Sequence, residues 1–308
     1  MVALDFGLMI APTPRGGTLD AMQTTNDRLL EAATAHNLSA WVIDHFQFDS
    51  RPVFECFAFL AHQAGRFPGV RWGTLVLGQS YRNPALTAKI AASVQYLTGG
   101  RFICGIGAGW KEDEYRAYGY PYPPARERIA QLDEAVQIMR RMWTEPGPVS
   151  FTGAHYQITD AYCEPRTDPP PVLMIGGGGE QRTLRVVAAH ADWWNADYYT
   201  PEDYRHKLDV LRDRCREIGR DPDTITPTYY AGVSISHDSS RLIRVPPVAS
   251  RPNMVVLSGT PDEVTAQLEA FANLGVALVQ LNFLDFPGTE SLDLFVREVL
   301  PRFTRRDV

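Results

Sequence analysis

Cysteine is scarce in this chain: Cys56, Cys104, Cys163 and Cys215 stand far apart among 308 residues and form no C-x-x-C pair. That excludes a disulfide framework and a zinc site of the usual spacing, and it predicts reduced thiols in an intracellular setting. Transmembrane length is lacking too. No apolar stretch is long enough to span a bilayer, and the sequence enters a strand-like run at once without a basic, apolar leader. A soluble, cytoplasmic chain with no membrane partner is predicted. There is no Lys/Arg stripe, and the net charge of −6 is spread through the sequence, which argues against a nucleic-acid partner. The G-x-S-x-G, H-E-x-x-H and Walker patterns are absent, so hydrolase and nucleoside-triphosphatase chemistry has no support. His190-Ala191-Asp192 has no third ligand spaced to join it, and no metal site is expected.

What is present is an ordinary globular composition, 44% hydrophobic and 21% charged, with a regular beat of strand and helix. Strand-like runs are predicted at Leu4–Ile10, Ala40–Phe46, Val70–Gly78, Phe102–Cys104, Val172–Ile175, Ala191–Tyr198, Ile225–Ile235 and Val276–Leu284. Helices are predicted at Asp20–His36, Val53–Gly65, Pro84–Leu97, Glu180–Ala189, Pro201–Ile218, Pro261–Leu274 and Leu292–Phe303, and around the stripe Ile129, Leu132, Val136, Met139 and Trp143. Asn83, Thr200 and a Thr260/Glu263 capping box mark three starts. GPVSFTGAHYQI reads as a small hairpin, and Ser236–Pro252 as a long aperiodic loop. Eight alternations in one chain predict a single (β/α)8 barrel spanning residues 1–308. The competing open, doubly wound sheet would carry its glycine fingerprint after the first strand rather than the fourth.

A barrel places its site at the carboxyl ends of the strands. There the sequence offers Asp44-His45, the alternating glycines Gly105, Gly107 and Gly109 with Ala108, and Gly176-Gly177-Gly178-Gly179 ahead of a helix. His45 is the candidate for proton transfer, with Asp44 beside it to orient or tune. The four glycines, with Gln181 and Arg182 in the next turn, suit a phosphate, because open N–H groups and the positive end of a helix dipole would face it. A packed histidine and a tight βα turn are the structural alternatives.

With these residues assembled, the chain resembles the bacterial luciferase-like superfamily of flavin- and deazaflavin-dependent oxidoreductases, and its F420-dependent branch most closely. The segments that carry the resemblance are WVIDHF (41–46), the stretch from Gly73 to Pro121, PPVLMIGGGGEQRTL (170–184), ADWWN (191–195), GTPDEVTAQLEAFANLGV (259–276) and FVREVLPRF (295–303). The resemblance implies the same luciferase-like barrel with insertions. It implies F420, or alternatively FMN, in the barrel mouth, with the phosphate near Gly176–Gly179. Ala108 and Gly109 would lie beside the ring and its chain. A strand-three bulge, often a non-proline cis peptide behind the ring, would fall at Leu75-Val76, with Thr74 next to it. Asp44 and His45 match positions beside the ring. The activity implied is hydride transfer between F420 and a small organic substrate. An FMN monooxygenase served by a separate reductase and a non-catalytic flavin-binding relative are the alternatives. A homodimer is implied. One departure stands out: sugar-phosphate dehydrogenases of the superfamily carry a catalytic glutamate where this chain has Trp110, which speaks against a glucose-6-phosphate type of reaction.

Overall fold

The computed structural model describes residues 4–245 and 254–303. Its elements run β1 (Asp5–Met9), α1 (Leu19–Ala35), β2 (Ser39–Val42), α2 (Cys56–Arg66), β3 (Arg71–Thr74), β4 (Leu77–Gly78), α3 (Pro84–Leu97), β5 (Phe102–Gly107), α4 (Glu112–Ala117) and α5 (Ala125–Thr144). Then follow β6 (Val149–Thr152), β7 (Gln157–Ala161), β8 (Val172–Gly176), α6 (Thr183–His190), β9 (Trp193–Asp197), α7 (Pro201–Glu217) and β10 (Thr226–Ile235). The chain continues through β11 (Val256–Gly259), α8 (Pro261–Ala272), β12 (Leu278–Phe283) and α9 (Glu290–Leu294).

The strands β1, β2, β3, β5, β8, β9, β10 and β12 pair in parallel in that order, and β12 returns to β1. The sheet is therefore closed, and the fold is a (β/α)8 barrel rather than an open sheet. β6 and β7 form the expected antiparallel hairpin. β11 is an addition that the sequence pattern did not reveal. It pairs with Gly232–Ile235 of β10, just beyond Tyr230 where β9 stops.

Alternation of side chains divides the core in two. The larger part packs strands against helices, while Met9, Trp41, Ile103, Met174 and Leu278 make a second cluster from residues of inward parity. Trp41 is fully buried; it pairs with Met9 of β1 and Gly73 of β3, and its indole also covers Gly7 of β1. A Cβ on Gly7 would come within 2.2 Å of the indole and one on Gly73 within 2.4 Å. The large ring thus plugs the barrel because the adjacent strands give up their side chains.

Several boundaries move for local reasons. α2 starts at Cys56 rather than Val53, since the Glu55 carboxylate caps it by accepting from the Ala58 N–H at 2.7 Å. α6 starts at Thr183, after a turn through residues 180–182. The closing helix begins at Glu290, widens to a π-turn over Phe295–Val299 and tightens over Leu300–Arg302, where Pro301 has no N–H to continue a regular helix. The caps at Asn83 and Thr200 and the Thr260/Glu263 box are present. Of Ser236–Pro252, residues 246–252 lie outside the described residues, and Ser239–Arg241 forms a short 3-10 turn. No helix among the described residues is long and apolar enough to cross a membrane.

Candidate active site

The third barrel strand is where the site begins to be shaped. The run Val70–Gly78 is not one strand: β3 ends at Thr74, and the Leu75–Val76 peptide is cis before β4 resumes. At the break, a side chain takes over from the backbone ladder. The Thr74 hydroxyl donates to the Gly105 carbonyl at 2.8 Å and accepts from the Gly105 N–H at 2.9 Å. The backbones come so close that a Cβ on Gly105 would lie 2.0 Å from the Thr74 carbonyl oxygen. Beyond the break, Val76 lies across two further glycines. A Cβ on Gly107 would be 2.9 Å from Val76 Cγ2, and one on Gly176 would be 3.0 Å from Val76 Cγ1. Val76, Leu75 and Ile43 remain half-buried and form an apolar floor at the carboxyl ends of the strands. Thr74 itself is buried with its hydroxyl committed to Gly105.

Asp44 is also committed. Its side chain is fully buried, accepts from Arg82 through both carboxylate oxygens at 2.8 and 2.9 Å, and accepts the Gly78 N–H at 3.0 Å. Arg82 reaches on to Glu55 at 2.5 Å and lies over the Phe57 ring. Burial alone would lower the pKa of Arg82, but Asp44, and after it Glu55, raise it above its ordinary value. The Asp44–Arg82 pair therefore ties the chain after β2 to the turn after β4.

His45 is arranged differently. Its Nδ1 lies 3.0 Å from each carboxylate oxygen of Glu114, whose side chain is wholly buried in α4. The Tyr81 hydroxyl donates to Glu114 Oε2 at 2.7 Å and the Gln47 N–H to Oε1 at 3.3 Å. Burial alone would raise the Glu114 pKa, but His45, Tyr81 and the Gln47 N–H outweigh it and hold the carboxyl below its ordinary range. The imidazole is flanked by Phe48 at 4.7 Å and, edge-on, by Trp110 at 5.7 Å between centroids. Trp110 is 68% exposed. A buried carboxylate on Nδ1 fixes the Nδ1–H tautomer and leaves Nε2, which has no protein partner among the described residues, to accept or deliver a proton.

Gly109 has a packing reason to be glycine. Its φ is +76°, and a Cβ there would fall 1.9 Å from the Tyr115 hydroxyl. That hydroxyl shares a 2.8 Å hydrogen bond with Ser80, which docks α4, and Glu114 with it, on the turn after β4. Ala108, next to it, is half-buried.

The loop Gly176–Gly179 is partly explained by packing as well: Gly178 faces the Tyr199 hydroxyl, and Gly179 faces Thr183. Packing does not account for its amides. Gly177 N–H donates to the Asn195 carbonyl, but among the described residues the N–H groups of Gly178, Gly179, Gln181 and Arg182 have no protein acceptor. α6 has no side-chain cap either. An uncapped helix start with open amides fits an anion.

Elsewhere on the rim, the Arg15 guanidinium donates to Asn282 Oδ1 and lies over Phe286, while Asn282 Nδ2 donates to the Tyr230 hydroxyl at 3.0 Å. Asn195, by contrast, is buried inside the barrel, bonded to Thr228 and Gln280. His190 pairs with Asp133 and Asp192 with Arg140, so the two are not a ligand pair. No group of His, Cys, Asp and Glu among the described residues is arranged to hold a metal ion.

The sequence singles out His45 as a candidate but not the Glu114, Tyr81 and Arg82 side chains that surround Asp44-His45. The available signal was weak: Glu114 is one of three acids in KEDEY, and only the fold shows that it is the buried one.

The carboxyl ends of the barrel strands thus carry an apolar floor, a carboxylate-paired histidine and an uncapped helix start with open amides. Residues 6–245 match the family model described as luciferase-like monooxygenase, and the chain belongs to that family. Among curated proteins it is similar to the F420-dependent glucose-6-phosphate dehydrogenase of Amycolatopsis mediterranei (strain U-32), at 27% identity over 86% of this chain and 89% of that protein. It is also similar to the phthiodiolone/phenolphthiodiolone dimycocerosates ketoreductase of Mycobacterium kansasii, at 33% identity over 56% of this chain and 47% of that one. Among solved structures, the F420-dependent secondary alcohol dehydrogenase in complex with an F420-acetone adduct superposes with a TM-score of 0.81 at 19% identity, covering 98% of this chain and 100% of the other. The EDTA monooxygenase of Chelativorans sp. BNC1 superposes at 0.80 with 14% identity, covering 98% and 93%.

Proposed function

We propose that this protein is an oxidoreductase that moves a hydride between coenzyme F420 and a small organic substrate, a carbonyl, imine or activated alkene. The observation that carries the reading is the His45–Glu114 pair: a buried carboxylate on Nδ1 and an uncommitted Nε2, two residues beyond the half-buried Ile43 at the carboxyl end of β2. The relatives named for F420 support the coenzyme. The floor fits a flat ring, and the open amides of Gly178 and Gly179 with the start of α6 fit its phosphate. When bound, F420 supplies or accepts the hydride at its ring.

The rest falls to the chain. Glu114, held ionised by Tyr81 and the Gln47 N–H, keeps the Nδ1 proton in place and stabilises the imidazolium that forms when Nε2 takes a proton. In the direction that oxidises the substrate, the neutral His45 Nε2 takes the proton of the substrate heteroatom; in the reverse direction the imidazolium returns it. Asp44 acts by position: paired with Arg82 and holding Gly78, it fixes the backbone from which His45 projects. Arg15, with Asn282 and Tyr230, offers polar contacts to a substrate on the rim. FMN is the alternative cofactor, supported by a monooxygenase of the same fold whose structure is in complex with FMN.

Titration of the purified protein with F420 and with FMN, followed by cofactor fluorescence, tests the reading. F420 should bind and FMN should not compete. Tight FMN binding without F420 binding would sink it.

A further inference from the structure

The strands β12, β1 and β2 are consecutive in the barrel wall. Asn282 is the penultimate residue of β12, Arg15 follows β1 and His45 follows β2, so all three belong to one arc of the mouth. Asn282 has the strand parity of Leu278 in the inward cluster, and Tyr230 packs against that cluster. Neutral groups fix the Arg15 guanidinium. Asn282 Oδ1 accepts from its Nη1, Asn282 Nδ2 donates to the Tyr230 hydroxyl at 3.0 Å, and that hydroxyl lies 3.3 Å from the Tyr198 hydroxyl. The guanidinium lies over the Phe286 ring, 5.8 Å from its centroid. No carboxylate answers the charge. Arg15 is half-buried, yet it makes no ion pair among the described residues. Asp285, beside Phe286, accepts the Ser291 N–H at 3.0 Å instead. Other cations near the mouth are committed within the chain, Arg82 to Asp44 and Glu55, and Lys111 to Asp113.

We infer that Arg15 binds a carboxylate carried by the substrate, so that the enzyme acts on small organic acids whose reacting carbon and carboxylate are separated by a short chain. This rests on the hydride-transfer reading above and names the substrate class for it. A half-buried charge is costly unless it is paired, and amide, hydroxyl and ring leave this one without a counter-charge. With Nη1 on Asn282, the edge formed by Nε and Nη2 has no protein acceptor among the described residues. That planar edge matches the two oxygens of a carboxylate, and a single unpaired guanidinium balances a monoanion rather than a dianionic phosphate. Strand spacing sets the reach. β12 and β2 are two strands apart, roughly 10 Å, so a substrate of that span can keep its carboxylate on Arg15 while its heteroatom meets His45 Nε2.

The test is calorimetric titration of the full chain, saturated with F420, with oxo acids of increasing length, from pyruvate to levulinate and longer, each against its methyl ester. At least one acid should bind about tenfold tighter than its ester. In Arg15→Met that acid should fall to the affinity of its ester, while F420 binding, followed by cofactor fluorescence, stays unchanged. Asn282→Asp gives Arg15 a carboxylate from within the chain and should cancel the preference with the guanidinium still in place. Acids that bind the unaltered protein no tighter than their esters, undetectable binding included, overturn the inference. So does a preference that survives either substitution. Failure of F420 to bind overturns the coenzyme reading instead, and the same comparison of acid with ester on the protein alone then decides the carboxylate site.

Discussion

His45 Nδ1 sits 3.0 Å from both carboxylate oxygens of Glu114, so the two residues, 69 positions apart in sequence, act as one unit. His45→Ala should lower kcat by about 10²-fold or more while leaving the F420 dissociation constant nearly unchanged. Glu114→Gln should lower kcat less than His45→Ala and alter the pH profile of kcat/KM. Steady-state kinetics combined with fluorescence titration checks both, and an unchanged rate in His45→Ala would remove the residue from the mechanism.

The same pair gives stability a pH dependence of definite sign. The folded-state pKa of Glu114 lies below its ordinary value. Its contribution is therefore present above the unfolded carboxylate pKa and is lost as pH falls through the lowered folded value. Between about pH 5 and pH 3, the unaltered protein should lose more stability than Glu114→Gln. Urea denaturation across that range measures the difference.

Arg82 is the shared partner of two carboxylates, one of them fully buried. Arg82→Gln leaves Asp44 buried without its counter-charge and should cost about 3–5 kcal/mol. Adding Asp44→Asn to that variant should restore part of the loss, because the stranded charge goes with it. Chemical denaturation of the two variants decides it.

Thr74→Val keeps the shape but removes the hydroxyl that substitutes for the ladder to Gly105. A loss of about 1–3 kcal/mol is expected, with Thr74→Ser close to the original protein. Equal stability of the two variants would show that the hydroxyl bonds contribute nothing.

Gly109→Ala faces two penalties, a positive φ and the Tyr115 hydroxyl at 1.9 Å from the new Cβ. Tyr115→Phe in the same chain should relieve part of the clash and leave about 1 kcal/mol from the backbone. Thermal melts of both single variants and the double variant test this coupling.

The barrel and most helix starts were legible in the sequence, because strand and helix periods alternate cleanly and caps such as Thr260/Glu263 are local signals. His45 stood out in the sequence as a candidate for proton transfer at a strand end. Its partner did not, since pairing across 69 residues depends on how α4 docks, and nothing in KEDEY separates the buried acid from the exposed ones. β11 was missed because four residues beside a helix start carry too little periodicity. The alternating glycines of β5 read as room for a ligand, yet Gly105 and Gly107 make room for Thr74 and Val76 of the neighbouring strand segments.

That crowding at Val76 has a consequence for how this pocket can vary. One side chain rests on Gly107 of β5 and Gly176 of β8 while belonging to the link between β3 and β4. The height of the floor is thus set jointly by three strands. A single enlargement at either glycine would lift Val76 rather than line the pocket with a new group. Variation in the pocket is therefore channelled to the rim loops, such as the one that carries Arg15, while the apolar floor changes only when several positions change together.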